Sequence, residues 1–231
     1  MKKSKVIPFL TIGALALSIS SCNTTPKATL KTEVDSVSYA IGYNTGLSYN
    51  QNIQTFPGGE VNVDDMIVGF SKALKGDTSM TQQQAVELIQ NYFQNAEKKI
   101  AAQNLVEGEE FLAENATAEG VVVTESGLQY RVDSLGTGAL PTAEDRVSVH
   151  YTGRLLDGTV FDSSVERGEP ATFGVNQVIK GWTEGLQLMP VGSKYTLFIP
   201  ADLAYGERAA GQQIKPNSTL IFEVELLNIE K

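Results

Sequence analysis

The stretch VSVHYTGRLLDGTVFDSS (Val147–Ser164) decides how the second half of this 231-residue chain is read. Apolar and polar residues alternate from Val147, the chain turns at Asp157-Gly158, and alternation resumes after Thr159, the pattern of two strands joined by a tight turn. The stretch also holds His150, the single histidine of the chain, beside Tyr151, Phe161, Asp162 and the pair Ser163-Ser164. It could be a catalytic hairpin built around His150 or one wall of an apolar pocket. His150 is one residue out of phase with Val147 and Val149, which sends its side chain to the opposite face of the strand. The pocket wall is therefore the better reading.

Working outward, the chemistry that is missing narrows the choice further. One histidine and one cysteine (Cys22) leave no Cys–His nucleophile pair and no cluster of soft metal ligands. A triad from His150, Ser163 or Ser164, and Asp157 or Asp162 would lack the Gly-x-Ser-x-Gly elbow. GTGALP (Gly136–Pro141) begins like a dinucleotide loop, but it has no third glycine and no helical pattern follows, so it reads as a turn. Nothing nominates a pair of carboxylates for glycoside cleavage. The formal charge of −9, with no basic run interleaved with aromatics, argues against nucleic acid as a partner. An enzyme built on these residues needs a reaction without nucleophile, metal or cofactor. Rotation about a prolyl peptide bond is such a reaction, because no covalent bond is made or broken.

Around the opening stretch the period-two pattern recurs in VVVTESGLQYRVDS (121–134), KYTLFIP (194–200) and STLIFEVELLNIE (218–230). Between them NQVIKGWTEGLQLMPVG (176–192) has helical spacing, with Trp182, Leu186 and Met189 on one side and Pro190 as a stop. An antiparallel sheet around one short helix is the expectation for this half, so the chain as a whole is α+β.

From Thr32 to Asn115 the spacing is helical instead. Val34, Val37 and Ile41, with Tyr39 and Tyr43, mark a first helix; Ile67, Phe70 and Leu74 mark a second, with Asp64 as its cap and Gly76 at its end. Ala85, Leu88, Ile89, Tyr92, Phe93, Ala96 and Ile100 form the stripe of a third, which thins toward Asn115. A continuous helix from Thr81 to Asn115 would be roughly 50 Å long. We therefore expect a packed first half and an exposed second half, a stalk, with any bend at Gly108. The surplus apolar faces fit either a self-sufficient three-helix domain or burial against a second copy of the chain.

The first 22 residues read as an export signal: Lys2, Lys3 and Lys5, then an apolar core from Val6 that is short for a bilayer span. It ends in ISSC (Ile19–Cys22), which resembles a bacterial lipoprotein box. That resemblance implies cleavage before Cys22, acylation of Cys22 and a membrane anchor. Loss of the three lysines would take the charge from −9 to −12. The expected layout is a signal peptide over 1–21, a tether over 22–31, a helical dimerisation domain with stalk helix over 32–115, a linker over 116–124 and a folded module over 125–231.

Four segments, VHYTGRLLDGTVFDSS, VIKGWTEGLQLMPVGSKYTLFIP, LAYGE and NSTLIFEVELL, resemble in order and spacing the signature segments of the FKBP-type peptidyl-prolyl cis/trans isomerases. DSVSYAIGYNTG (35–46) is similar to the helical dimerisation region of the Mip-like members. The resemblance implies a curved antiparallel sheet around one helix, with the active pocket between them. It also implies no cofactor and no metal, proline-containing exported polypeptides as partners, a homodimer through residues 32–100, and a periplasm-facing place in the cell envelope.

By motif, the catalytic positions implied are Tyr151, Phe161, Asp162, Trp182, Tyr205 and Phe222. Phe173, Val178, Ile179, Ala210 and Ile214 would line the substrate site. Trp182 would form the floor under the proline ring, and Tyr205 would donate to a substrate carbonyl. Asp162 would either orient polar groups or face the carbonyl carbon electrostatically. Val178 and Phe222 also suit a plain core role. The sequence departs from the family pattern at Ala210, often aromatic or histidine, and at Lys215-Pro216, often two prolines, which leaves one pocket lip open. A chaperone that grips proline-containing segments without turnover is the alternative function.

Overall fold

Strand β3 organises the folded half, and its burial alternates at every residue from Arg146 to Arg154, with Val147, Val149 and Tyr151 inward. The computed structural model describes residues 27–53, 56 and 61–230. The expected signal peptide, Cys22 and the start of the tether lie outside the described residues. In chain order the elements are α1 (Glu33–Ile53), α2 (Val63–Leu74), α3 (Gln82–Asn115), β1 (Val121–Val123), β2 (Gln129–Ser134), β3 (Arg146–Arg154), β4 (Val160–Ser163), α4 (Ser164–Arg167), β5 (Ala171–Gly174), α5 (Lys180–Gln187), β6 (Lys194–Ile199) and β7 (Leu220–Glu230). The chain divides into two compact units, residues 1–54 and 55–231. In the first, α1 has no buried residue, and Tyr39 stacks on Tyr43 one turn away with ring centroids 6.2 Å apart.

In the second unit the strands form one antiparallel sheet in the order β1-β2-β6-β7-β3-β4, with β5 also on β3. Two short strands share one edge of β3: β5 pairs with Arg146–Val149, and β4 with Thr152–Arg154. Irregular register at Val132/Ser134, Ser148/Val149 and Gly153/Arg154 bends the sheet, as bulges do. Helix α5 closes the concave side. It approaches β6 closely because Gly181 and Gly185 face the sheet; a Cβ there would lie 2.5 Å from Ile199 and 2.8 Å from Leu197. Leu128, Val147, Val149, Val175, Leu186, Met189, Leu197, Leu220 and Val224 are fully buried between these layers.

Several expectations are corrected. The cap of α2 is Asn62, not Asp64: its side chain accepts from the backbone N–H of Asp64 (3.0 Å) and Asp65 (3.2 Å), which leaves both acids in the first turn, where the helix dipole favours them. The segment 121–134 is a hairpin of β1 and β2 with a turn at Thr124–Gly127, so the expected linker over 116–124 contains a strand of the sheet. ATFG (171–174) is itself a strand, recruited by the free edge of β3.

The largest correction concerns α3, which starts with the Thr81–Gln84 capping box and runs unbroken through Gly108. Its second half is not an exposed stalk. Asn104 Nδ2 donates to the Pro216 carbonyl (2.8 Å), and Asn217 Nδ2 donates to the Ala101 carbonyl (3.2 Å). Buried Gln129 donates to the Leu112 carbonyl (2.8 Å) and accepts from Asn115 (2.8 Å), and Phe111 packs on Phe198 with centroids 6.0 Å apart. Exposed apolar groups mark the first half, Leu88 at 62% and Ile89 at 52%, and recur at Leu105 and Val106 on the outer face of the second. The glycine that suggested a bend is a contact point, since a Cβ on Gly108 would meet Thr219 Oγ1 at 2.3 Å.

That contact makes a prediction. In an exposed helix, alanine for glycine gains about 1 kcal/mol, whereas overpacking costs about 1–3 kcal/mol. Gly108→Ala should therefore lower the urea midpoint, with a net loss of about 1 kcal/mol, and Thr219→Ala in the same chain should recover much of it. A stabilised Gly108→Ala protein would mean that α3 is not seated on the sheet.

Candidate functional site

On the concave side of the sheet, β3, β4, β5, β7 and α5 aim aromatic side chains at one space, a pocket of about 590 Å³. Each element supplies its ring for a local reason. Tyr151 follows the inward phase of β3, and Phe173 faces inward because β5 pairs in register with it, Phe173 opposite Val147. Trp182, in the first turn of α5, is 4% exposed and meets Tyr151, Phe173 and Phe222 edge to face, with centroids at 5.2, 5.7 and 5.2 Å. Phe161 and Phe222 cross at 85°, 5.4 Å apart. They can do so because Gly153 lies beneath them: a Cβ there would be 2.6 Å from Phe161 and 2.7 Å from Phe222.

The structure brings all eleven residues nominated for catalysis or binding to this pocket. Tyr151, Phe161, Asp162, Phe173, Val178, Ile179, Trp182, Tyr205, Ala210, Ile214 and Phe222 all line it. Phe222 is core and pocket at once, and Val178 is half-buried against the same core. The lip is a small loop closed by a bridge between Ala210 and Ile214. His150 is placed elsewhere: it lies on the other face of β3, where Nδ1 is 3.1 Å from Ser164 Oγ, and that hydroxyl accepts from the Tyr151 N–H at 2.8 Å.

Polar groups are few. The Asp162 carboxylate accepts from the Tyr151 hydroxyl at 2.5 Å and pairs with Arg167, whose second amino group donates to the same hydroxyl at 3.0 Å. Burial pushes the Asp162 carboxyl up, but the bonds from Tyr151 and Arg167 and the guanidinium charge outweigh it, so the group ionises below the ordinary carboxylate range. Burial first, and then the bond to Asp162, push the Tyr151 hydroxyl up. Two aromatic donors have no acceptor among the described residues. Trp182 Nε1 is buried with no partner, and the Tyr205 hydroxyl, on a residue 42% exposed, has none among the described residues. In addition α5 begins after the pocket residue Ile179 with no side-chain cap.

Arg167 was missed from the sequence. It reaches Asp162, five residues earlier, around the single turn of α4, which Ser163 caps by accepting from Glu166 N–H (3.2 Å) and which Gly168 ends in the left-handed region at φ +79. The signal was SSVERG: a cap, an arginine and a stop glycine directly after an aspartate. Gln177, Gln212 and Gln213 also line the pocket and carried no pattern of their own.

Comparison with known proteins adds an independent line. A model of the FKBP-type peptidyl-prolyl cis-trans isomerase matches residues 138–227, and a model of the domain amino terminal to that isomerase matches residues 34–132. An FKBP-type peptidyl-prolyl cis-trans isomerase, FkpA, of Aeromonas hydrophila is 48% identical over 215 residues, 89% of this chain and 80% of its own. The outer membrane protein MIP of Legionella longbeachae is 42% identical over 232 residues, 96% and 97% of the two chains. Among solved structures, FkpA from Escherichia coli superposes with a TM-score of 0.71 at 35% identity, covering 87% of this chain and 98% of that one.

The Tyr151–Asp162–Arg167 cluster has a measurable consequence. A carboxyl whose pKa is depressed by folding contributes stability above its unfolded value, roughly pH 4, and loses it as pH falls through the lower folded value. Arg167→Met removes one of the groups that hold Asp162 down, so the window between the folded and unfolded values should narrow from below and less stability should be lost on acidification. Carboxyl-carbon NMR titration of Asp162 should give an upward shift in the variant. An unchanged titration would show that the guanidinium does not govern the carboxylate.

Proposed function

Because this chain belongs to the FKBP-type peptidyl-prolyl cis-trans isomerases, we propose that it accelerates the folding of exported polypeptides by twisting prolyl amides in the pocket floored by Trp182. The observation that carries this reading is the convergence of five rings, Tyr151, Phe161, Phe173, Trp182 and Phe222, on a space with few polar groups. The barrier to rotation, about 18–20 kcal/mol, is amide resonance, and proline makes both isomers accessible but slow to exchange. At the twisted transition state that resonance is lost and the carbonyl is less polar. A site that strips water from the amide therefore favours the transition state over the planar forms.

In this mechanism the proline ring lies on Trp182 between Phe161 and Phe222. The Tyr205 hydroxyl fixes a neighbouring substrate carbonyl. Asp162 acts as a positioning residue: its carboxylate is engaged by Tyr151 and Arg167, which supports its orienting role over direct contact with the carbonyl carbon. No proton is transferred, so the rate should be nearly constant between about pH 5 and 9, within which neither a depressed carboxyl nor a raised phenol titrates.

The anchor and assembly are part of the same proposal. Cys22 would be acylated and hold the protein on the envelope facing the periplasm; the ISSC motif supports this, as does the relative named an outer membrane protein. The chain would form a homodimer through residues 32–100, supported by exposed apolar groups such as Val34 (74%), Ile41 (64%) and Leu88 (62%). Those same faces favour the second reading, a chaperone that holds unfolded clients with little turnover.

The test is prolyl isomerisation of a short Xaa-Pro peptide series by residues 23–231. Phe161→Ala and Asp162→Ala should each lower kcat/KM at least about tenfold, some 1.4 kcal/mol of transition-state stabilisation. His150→Ala should leave it largely intact. If the parent does not turn over but still suppresses client aggregation, the chaperone reading takes first place.

A further inference from the structure

We infer that the substrate site continues past the proline pocket into a second cleft, walled by α3, which selects polypeptides carrying Lys or Arg near the proline. This inference rests on the isomerase reading above. The cleft, of about 370 Å³, lies between the second half of α3, the β3–β4 hairpin and the loop that follows the pocket lip. That size is at the lower end for a specific ligand site. Gln213 lines both spaces, so a chain leaving the pocket over the lip runs directly into the cleft.

Three observations point to the chemistry of the occupant. First, the loop is held rigidly for the purpose. Asn217 donates its backbone N–H to the Gly206 carbonyl (2.8 Å), next to pocket residue Tyr205, and its side chain to Ala101 of α3, so pocket and cleft share one clasp. Second, Thr219 lines the cleft at 4% exposure, and its hydroxyl has no hydrogen-bond partner among the described residues, leaving it to meet a peptide group. Third, the charge is unbalanced. Glu107 accepts from neutral Gln103 (2.8 Å), and Asp157 from neutral Thr159, through its backbone N–H (2.9 Å) and its side chain. Neither carboxylate has a cation within ion-pair distance among the described residues. Lys215, on the same cleft, donates to the Gln212 carbonyl instead (2.9 Å). Two unpaired carboxylates, one tied cation and a buried, unpartnered hydroxyl suit an extended peptide with a basic side chain. An acidic one would be repelled.

The test uses the full-length protein and peptides that share one Xaa-Pro core. One set is the bare core; the others extend it on either side and carry Lys or Glu at successive positions. At one or more positions the Lys peptide should have a KM about threefold to tenfold below its Glu counterpart, as expected of two solvent-facing ion pairs, and high salt should erase the difference. In E107K/D157K the preference should invert, with the ratio to the bare core as the reference. A KM indifferent to charge at every position, or a Lys preference that survives the charge reversal, overturns the cleft. Failure to turn over the bare core would defeat the isomerase reading instead. The cleft would then be judged by the fluorescence-anisotropy Kd of the same peptides, where equal values for Lys and Glu overturn it.

Discussion

The pocket depends on the near absence of side chains between α5 and β6. Gly181 and Gly185 are one helical turn apart and face Ile199 and Leu197 so closely that any Cβ would overlap them. The helix therefore lies low on the sheet, and the next residue, Trp182, is carried into the aromatic cluster rather than over it. A larger residue at either glycine would lift α5 and open gaps around Leu186 and the tryptophan, whose contacts are all edge to face. Gly153 does the same work across the pocket by letting Phe161 and Phe222 cross directly above β3. The apolar cradle is thus assembled from rings whose positions are set by glycines that the rings themselves overlie.

Much of this was legible because it follows short periods. Alternation from Val147 fixed the inward phase of Tyr151 and the outward phase of His150, and burial along β3 follows it residue by residue. The helical stripe of Trp182, Leu186 and Met189 matches what α5 and its end bury. Arg167 was hidden for a physical reason: it joins Asp162 through one turn of helix, a spacing of five that neither a strand nor a long helix repeats. The strand at Ala171–Gly174 was hidden because a four-residue edge strand is defined by the neighbour it pairs with more than by its own pattern.

Helix α3 shows how a correct element can carry an incorrect environment. Its length and cap were readable, but the thin apolar stripe beyond Ile100 suggested solvent on all sides. The sheet is met there largely by amides: Asn104, Asn115, Gln129 and Asn217 bond to backbone carbonyls or to one another across the contact. Hydrophobic periodicity cannot register an interface built this way, because its residues look like surface. Gly108 compounds the ambiguity, since a glycine that bends a helix and a glycine that admits Thr219 are the same letter.

The contrast between the two halves of α3 follows from what each must satisfy. Where the helix meets its own module, amides satisfy carbonyls on both sides, Asn104 that of Pro216 in the loop, Asn217 and Gln129 those of Ala101 and Leu112 on the helix, so little apolar area is required. Where it carries Leu88 (62% exposed), Ile89 (52%) and Tyr92 (49%), the side chains are left largely in water within a single chain, and amides there, such as Gln83 on Glu87, bond within the helix rather than across to the sheet. Apolar groups in such number on one helix gain only from another apolar surface. The second half therefore fixes α3 to the catalytic module and touches the clasp at Asn217 beside the pocket, while the first half leaves its apolar groups exposed. One helix bears both surfaces because it runs through Gly108 without a break.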